Sequence, residues 1–257
     1  MSEPALTQTH EGITISLDQC IADEHSAYIS FRISGWKLKE GDEPRFDQAS
    51  CRMGLTGAQG TSGNFLSVWS AENQTECFTD ENGDLFYCFT VSAIDDTLPG
   101  RDVHVEFRNL GHYREGQTII IDVDMVETWT FDWALTGTTE KRVWKDLSLP
   151  IGESEWVLRE VVFSPVTAVF LLSSPQGVEN DDLDGQPWFL GIIDKDGTEH
   201  RLPGGGGCSV IQQEDQTLFK AVESFHKVID VSSVCSVLFV FPEEDAICQV
   251  NLPDTGE

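Results

Sequence analysis

The chain has 257 residues, of which 40% are hydrophobic, so it carries enough apolar material for packed cores and global disorder is unfavoured. It has 44 Asp and Glu against 16 Lys and Arg, giving a formal net charge of −28. A field of that sign repels phosphate backbones and anionic lipid headgroups, which argues against nucleic acid as a partner.

Alternating apolar residues predict a hairpin near the N-terminus. The runs 13–17 and 28–33 place an apolar side chain at every second position, and the polar segment 22–25 lies between them. Period-two alternation around a polar turn is typical of two strands that bury one face.

A second hairpin is predicted over residues 77–91. Asn82-Gly83 favours a type I′ turn, because both central residues of that turn need a positive φ. Counting outward from the turn sets Cys77 opposite Cys88, at a Cα separation of about 5.5 Å that a disulfide accepts. The sequence leaves two alternatives open here, a disulfide and two reduced thiols packed side by side.

Further strands are predicted over residues 102–109, 118–126 and 128–135. Val103 and Val105 alternate with His104, which we expect on the solvated face, and Trp129 shares a face with Phe131. This pattern indicates a sheet packed on one side and wet on the other. Residues 137–152 are polar and rich in turn formers, so we place a first domain at 1–150 and a second at 151–257.

The second domain also consists of short predicted strands separated by turns. Asp194 to Gly197 predicts a turn, and Pro203 with Gly204 to Gly207 predicts a flexible loop. Leu218, Val222, Phe225 and Ile229 also fit helical spacing, so one short helix is an alternative there. The predicted strands cover 157–163, 166–172, 188–193, 218–225, 234–241 and 246–250. The predicted fold class is therefore all-β, with two immunoglobulin-like β-sandwich domains in tandem.

Four short segments stand in order along the chain. The first is the N-terminal hairpin with Gly12-Ile13-Thr14-Ile15, Ala22-Asp23 and Tyr28-Ile29, and the others are Trp129-Thr130-Phe131-Asp132-Trp133, Val161-Val162-Phe163-Ser164-Pro165 and Ile229-Asp230-Val231-Ser232-Ser233-Val234. In this order they resemble domain of unknown function 4179. The first resembles that family's opening, the second its closing strand, and the last two the entry and the closing signature of its second β domain.

The resemblance implies a location and a role. Such regions are the extracytoplasmic part of single-pass membrane proteins in Gram-positive bacteria, and many are similar to anti-sigma-factor proteins. The resemblance implies no catalytic or ligand residues. It leads us to expect an extracytoplasmic, cell-surface domain held at the membrane only through an anchor outside these 257 residues, with an unknown extracellular ligand or protein as its partner.

The residue pattern predicts no catalytic, cofactor-binding or metal-binding residue, and hence a protein that is not an enzyme and needs no cofactor. A serine or cysteine nucleophile needs a histidine positioned beside it, and no histidine lies in a motif of that kind. No Cys-x-x-Cys is present for zinc, although Cys235 and Cys248 could meet across adjacent strands. The histidines are His10, His25, His104, His112, His200 and His226.

Two acidic features suggest sites but are better explained as surface. The segment 180–185 spaces oxygen ligands as the first half of a calcium loop does, but Gly191 stands where the bidentate Glu belongs. Asp122 and Asp124 share a strand face, with nothing in the sequence to place a partner carboxylate opposite.

Close to its last residue, Glu257, the sequence contains Leu252-Pro253-Asp254-Thr255-Gly256, which matches the sorting signal of wall-anchored Gram-positive proteins. We favour a chance match, because the apolar stretch and basic tail that normally follow are not in the sequence. The leading hypothesis is a non-catalytic sensor or interaction ectodomain. The alternative is a wall-attached adhesion or carbohydrate-binding module that would use tryptophans in or near loops: Trp36, Trp69, Trp144 and Trp188.

Overall fold

The all-β prediction is confirmed by the computed structural model. It describes residues 6–39, 42–54, 59–66, 68–69, 77–78, 83–93, 97–114, 122–149, 156–174, 187–201, 205–212, 217–225, 228–241 and 246–253. Within these ranges the chain forms strands that pair antiparallel, together with a 3₁₀ turn at Val231–Ser233. No helix in the described part of the chain has the length and apolar character that a membrane crossing requires.

The first compact unit comprises Met1–Ala22, Ala27–Val91 and Leu98–Gly137. Its strands are β1 (Thr7–His10), β2 (Ile13–Ala22), β3 (Ser26–Ser34), β4 (Asp42–Met53), β5 (Gln59–Leu66), β6 (Val68–Trp69), β7 (Cys77–Phe78), β8 (Leu85–Ser92), β9 (Asp102–Arg114) and β10 (Asp122–Ala134). They form a five-stranded sheet in the order β1-β2-β3-β8-β5, a three-stranded sheet in the order β10-β9-β4, and the pair β6-β7. The predicted N-terminal hairpin is β2–β3.

Aromatic side chains join the two larger sheets of this unit. Phe31 on β3 packs edge-on against Phe107 on β9, with ring centroids 5.1 Å apart, and is tilted against Phe131 on β10 at 4.9 Å. Trp129 and Phe107 are fully buried. Because alternate residues of each strand point to one face, these rings come from the apolar positions that the sequence pattern identified.

The second compact unit contains Thr138–Glu257 together with Asp23–Ser26 and Ser92–Thr97. Its strands are β11 (Arg142–Ser148), β12 (Val157–Phe163), β13 (Thr167–Ser174), β14 (Trp188–Asp194), β15 (Glu199–Arg201), β16 (Gly205–Gln212), β17 (Thr217–Ser224), β18 (Val234–Phe241) and β19 (Ala246–Asn251). They form a five-stranded sheet, β11-β12-β13-β17-β16, and a four-stranded sheet, β15-β14-β18-β19.

The core of the second unit is also aromatic. Phe170 on β13 packs against Phe239 on β18 at 5.2 Å between ring centroids and against Phe189 on β14 at 4.9 Å. These contacts join the five-stranded sheet to the four-stranded one. Phe163 and Phe225 extend the cluster, stacked at 6.0 Å. Each unit is therefore a sandwich-like pair of sheets around one apolar layer.

The boundary between the two units does not fall after residue 150, where the sequence predicts the domain boundary. β11 pairs with β12 from Arg142↔Phe163 to Ser148↔Val157, so it belongs to the second unit. The segments Asp23–Ser26 and Ser92–Thr97 also belong to that unit, although they lie far earlier in the chain. The abundance of turn-forming residues correctly identified a polar stretch. It could not show that strand β11, which lies within this stretch, joins a sheet of the second unit.

The hairpin predicted over residues 77–91 is wrong in its pairing. β7 pairs with β6, where Cys77 lies opposite Trp69, and β8 lies between β3 and β5. Gly83 has a φ of 81°, as the turn prediction requires, whereas Asn82 lies outside the described residues. A tight-turn signal is local, and the sheet position of a strand depends on partners distant in sequence.

Two predictions for the second unit are corrected. The alternative short helix, proposed from Leu218 to Ile229, is strand over 218–224, where β17 is paired along its whole length with β13 on one side and β16 on the other. The loop predicted at Gly204 to Gly207 is strand from Gly205 onward, because β17 supplies the ladder that the glycines themselves do not favour. The turn at Asp194 to Gly197 is confirmed, with Gly197 at φ 81°.

The strands predicted over 118–126 and 128–135 form one strand in the described part, β10. Its ladder with β9 is irregular between Val123 and Thr128, where bulges shift the register. A bulge breaks the period-two pattern without ending the strand, so the sequence reads as two strands. Residues 118–121 lie outside the described ranges.

Glu223 introduces a carboxyl group on the inner face of β17. It shares that face with Phe219, Ala221 and Phe225, which belong to or pack on the second core, and it lies opposite Ala168 on β13. Burial raises the pKa of Glu223 from 4.5 to about 7. The charged form is disfavoured in that position because it loses hydration.

Because of this buried carboxyl, we expect the free energy of unfolding to fall as the pH rises. Below pH 4.5 Glu223 is protonated in both the folded and the unfolded chain, and it does not reduce the stability of the fold. Between that value and about 7 the unfolded chain releases the proton first, so stability is lost. Urea unfolding should show Glu223→Gln about 2 kcal/mol more stable than the unmodified protein at pH 8, and nearly equal to it at pH 4.

The exposed Glu140 offers a matched control, because Glu140→Gln removes the same charge from the acidic chain without touching a core. A gain at pH 8 that is the same for both variants would assign the effect to net charge and contradict the burial of Glu223.

Candidate functional site

Three exposed or half-exposed apolar side chains lie in register across the four-stranded sheet of the second unit. Trp188 on β14 lies opposite Val240 on β18, and Val240 lies opposite Ile247 on β19. Trp188 is 60% exposed and Ile247 is 57% exposed. We call these three residues the Trp188 row. Large apolar groups that share one exposed face are typical of a contact surface.

The core fixes this row in place. In each of the three strands the neighbouring residue points inward: Phe189, Phe239 and Cys248 lie opposite one another and pack in the second core. Because side chains alternate between the faces of a strand, inward packing at those positions sends the Trp188 row outward.

Polar groups continue the same face of β18 and β19. The Ser236 hydroxyl donates to Asn251 Oδ1 at 3.0 Å and accepts from Gln249 Nε2 at 3.1 Å. Gln249 and Asn251 alternate with buried residues of β19, as Ile247 does. Ser236 is itself buried, whereas Gln249 and Asn251 are exposed, so the neutral hydrogen-bonding groups that a ligand could reach on this face are those two side chains.

The other tryptophans proposed for sugar stacking differ from Trp188. Trp36 is buried, and Trp144 is buried with its Nε1 donating to the Pro253 carbonyl at 2.9 Å. The Arg142 guanidinium covers the Trp144 ring at 4.7 Å from the centroid. The side chain of Trp69 lies outside what is described. Trp188 alone, among the described members of that set, has an exposed ring.

Histidines in the described part contact carboxylates, a carbonyl, a lysine and an aromatic ring. His104 Nδ1 lies 2.7 Å from Asp132 Oδ1 on the outer face, as its alternation predicted. His200 Nε2 lies 2.8 Å from Asp194 Oδ2, and this hydrogen bond is the largest of the causes that lower the pKa of Asp194. His10 lies near Trp129, His25 contacts the Ala93 carbonyl and Lys220, and His226 is outside the described residues.

His112 is the buried member of this set. Its Nδ1 lies 2.8 Å from Asp124 Oδ2, and its Nε2 lies 3.4 Å from Asp42 Oδ2. The three side chains come from β9, β10 and β4, so the cluster ties together all strands of the three-stranded sheet. The sequence raised Asp124 only as half of an Asp122–Asp124 pair. Its histidine partner depends on strand register, which no local motif encodes.

The cysteine pairs considered from the sequence do not meet. Cys88 is a free thiol whose Sγ lies 3.1 Å from the Tyr28 hydroxyl, and burial raises the pKa of Cys88. Cys248 lies opposite Phe239, while the Cys235 thiol donates to the Asp194 carbonyl at 3.1 Å. Burial also raises the pKa of Cys248, and a raised pKa disfavours the thiolate, the reactive form, at Cys88 and Cys248.

The remaining sequence candidates fall partly or wholly outside the described residues. The calcium-like segment 180–185 is wholly outside. Of the sorting-like motif, Leu252 is buried in the second core and its N–H donates to the Cys235 carbonyl at 2.8 Å. Asp254, Thr255 and Gly256 lie outside the described ranges, so the chance match stays a prediction. In the described ranges, no group of three or more His, Cys, Asp or Glu residues is arranged to hold a metal ion.

Comparison with known proteins gives the fold and no family. No protein-family model and no curated protein matches the chain. Among solved structures, the chain is similar to the conserved domain protein from Bacillus anthracis, with a TM-score of 0.50 and 12% identity. The match covers 93% of this chain and 76% of that one. At this identity the likeness shows the all-β fold alone, and the family resemblance noted above stays a prediction.

Because Trp188 is exposed and Trp144 is buried, we expect substitutions of these two residues in the second unit to differ greatly in their effect on stability. Trp188→Ala should change the free energy of unfolding by less than about 0.5 kcal/mol, because the ring is mostly in solvent. Trp144→Ala should cost about 3–5 kcal/mol, since it removes a buried ring and the hydrogen bond to Pro253. Urea titration of the purified variants measures both. A large loss for Trp188→Ala would make the row part of the core and remove it as a candidate surface.

Proposed function

We propose that this chain is a non-catalytic extracytoplasmic sensor or interaction ectodomain of a membrane-anchored bacterial protein, linked to sigma-factor regulation. The observation that carries the proposal is the Trp188 row, an apolar surface with ordered neutral hydrogen-bonding groups beside it. Exposing a tryptophan at 60% has no folding benefit, so a binding role is the explanation we favour.

We further propose that each unit is an immunoglobulin-like sandwich, the two standing in tandem along the chain. Antiparallel sheets held face to face by aromatic rings support this assignment. Sandwiches of this kind present sheet faces and loops to partners on a rigid support, which suits a domain whose task is recognition.

The histidine environments support a non-catalytic role. Nucleophilic catalysis places a histidine against a hydroxyl or thiol. The most buried of the described histidines, His112, instead lies between two carboxylates and joins three strands. We therefore assign these groups to holding strands and turns together.

Signalling would follow from differential binding. A ligand or partner on the surface that binds one arrangement of the ectodomain better than another shifts the population toward it, and a membrane anchor would pass that bias inward. The extracytoplasmic part of the proposal rests on the family resemblance.

Intact cells of the source bacterium test the location directly. A membrane-impermeant amine reagent should modify the exposed Lys145 and Lys195 before lysis, because both side chains would face the outside. Peptide mapping by mass spectrometry measures the modification, and an abundant cytoplasmic enzyme serves as the control for leakage. Modification that appears only after lysis would place the protein inside and overturn the proposal.

The second candidate function is a cell-wall-attached adhesion or carbohydrate-binding module. The exposed indole of Trp188 favours it, since flat apolar sugar faces stack on such rings. Both functions use the same surface, and they differ in the chemistry of the occupant.

A further inference from the structure

We infer that the Trp188 row binds a cationic segment of a partner protein, with an arginine or lysine side chain placed over the Trp188 indole. This inference rests on the proposed function, because it names the occupant of the surface described there. The size of the row, the charge of the chain and the contacts of arginines with aromatic rings elsewhere in this protein support it.

The dimensions of the row suit a short segment. Adjacent strands lie about 4.8 Å apart, so three strands in register present a strip about 10 Å across. Trp188 and Ile247 stand at its two sides with Val240 between them. A strip of this size contacts a few side chains, and it is too small for the standard interface of two folded proteins, about 800 Å² on each partner.

The net charge of the chain distinguishes between possible ligands of the row. The chain has a formal net charge of −28, so a second copy approaching this face is repelled, as is an acidic protein. A basic segment is attracted over a long range and gains association rate from that attraction. Neutral sugars gain nothing from the charge. Among ligands that can make apolar contacts with the row, electrostatics therefore favours a peptide rich in lysine and arginine.

The chain already packs arginine on aromatic faces. Arg142 lies over Trp144 at 4.7 Å from the ring centroid, Arg45 over Tyr113 at 4.8 Å and Arg32 over Phe86 at 5.2 Å. Tryptophan is the strongest of the aromatic partners for a cation, and among the tryptophans whose side chains the structure describes Trp188 is the exposed one. The aliphatic stem of the incoming arginine or lysine would lie along Val240 and Ile247, leaving its charged end on the indole.

A series of short synthetic peptides tests the inference on the full chain. The peptides keep one apolar content while their net charge runs from strongly positive to strongly negative, and calorimetry gives their affinities at low and high salt. We expect affinity to follow positive charge, to weaken with salt, and to fall about tenfold in Trp188→Ala. Trp188→Leu keeps apolar area without an aromatic face and should recover only part of the loss.

Val126 provides the matched control, since it is 79% exposed in the first unit and far from the row in sequence. Val126→Ala should bind as the unmodified chain does. The urea midpoints of all variants are measured alongside, so that a lost interaction is not confused with unfolding.

The contrary outcomes separate the inference from the proposed function. Affinity that does not rank with positive charge, or full binding by Trp188→Leu, overturns the cationic partner. Binding of neutral polysaccharides that is abolished in Trp188→Ala, without charge-ranked peptide binding, also overturns it, while leaving the row as a contact surface. Peptide binding that is equal in Trp188→Ala and the unmodified chain overturns the row itself, and with it the observation behind the proposed function.

Discussion

Aromatic rings packed between facing sheets are the interaction on which each unit depends. In the first unit Phe31 meets Phe107 across the two sheets at 5.1 Å, and in the second Phe170 meets Phe239 at 5.2 Å. Burying a ring of this size contributes about 2–3 kcal/mol, and edge-on contact adds to it. Strand propensity alone would not hold two sheets together, so the rings determine which face of every strand is inside.

The outer surface follows from that choice. Once Phe189, Phe239 and Cys248 are inside, Trp188, Val240 and Ile247 have no other direction available. A shift of one residue in any of the three strands would bury that strand's member of the row and expose its core residue, which is strongly unfavourable. The candidate surface is therefore held with the rigidity of the core, and a binding residue on it needs no separate support.

Alternation in the sequence predicts the strands well and their partners poorly. The strand predicted over 234–241 has the bounds observed for β18, because its pattern is long and apolar. The turn predicted at Asn82-Gly83 places Cys77 opposite Cys88, yet the strands of these two cysteines join different neighbours. Gly205 to Gly207 look like a loop locally and become a strand through β17. The sequence places both Trp144 and Trp188 in or near loops, and only the sheet partners decide that Trp144 is buried and Trp188 exposed.

Oxidative footprinting of single tryptophans tests the central claim most directly, because it reports which face of each strand meets solvent. Brief exposure of the folded protein to hydroxyl radicals, read by mass spectrometry, should oxidise Trp188 rapidly and leave Trp129 and Trp144 protected until urea unfolds the chain. Protection of Trp188 equal to that of Trp144 would mean that the inward and outward faces of the second unit have been assigned incorrectly, and the account would fail.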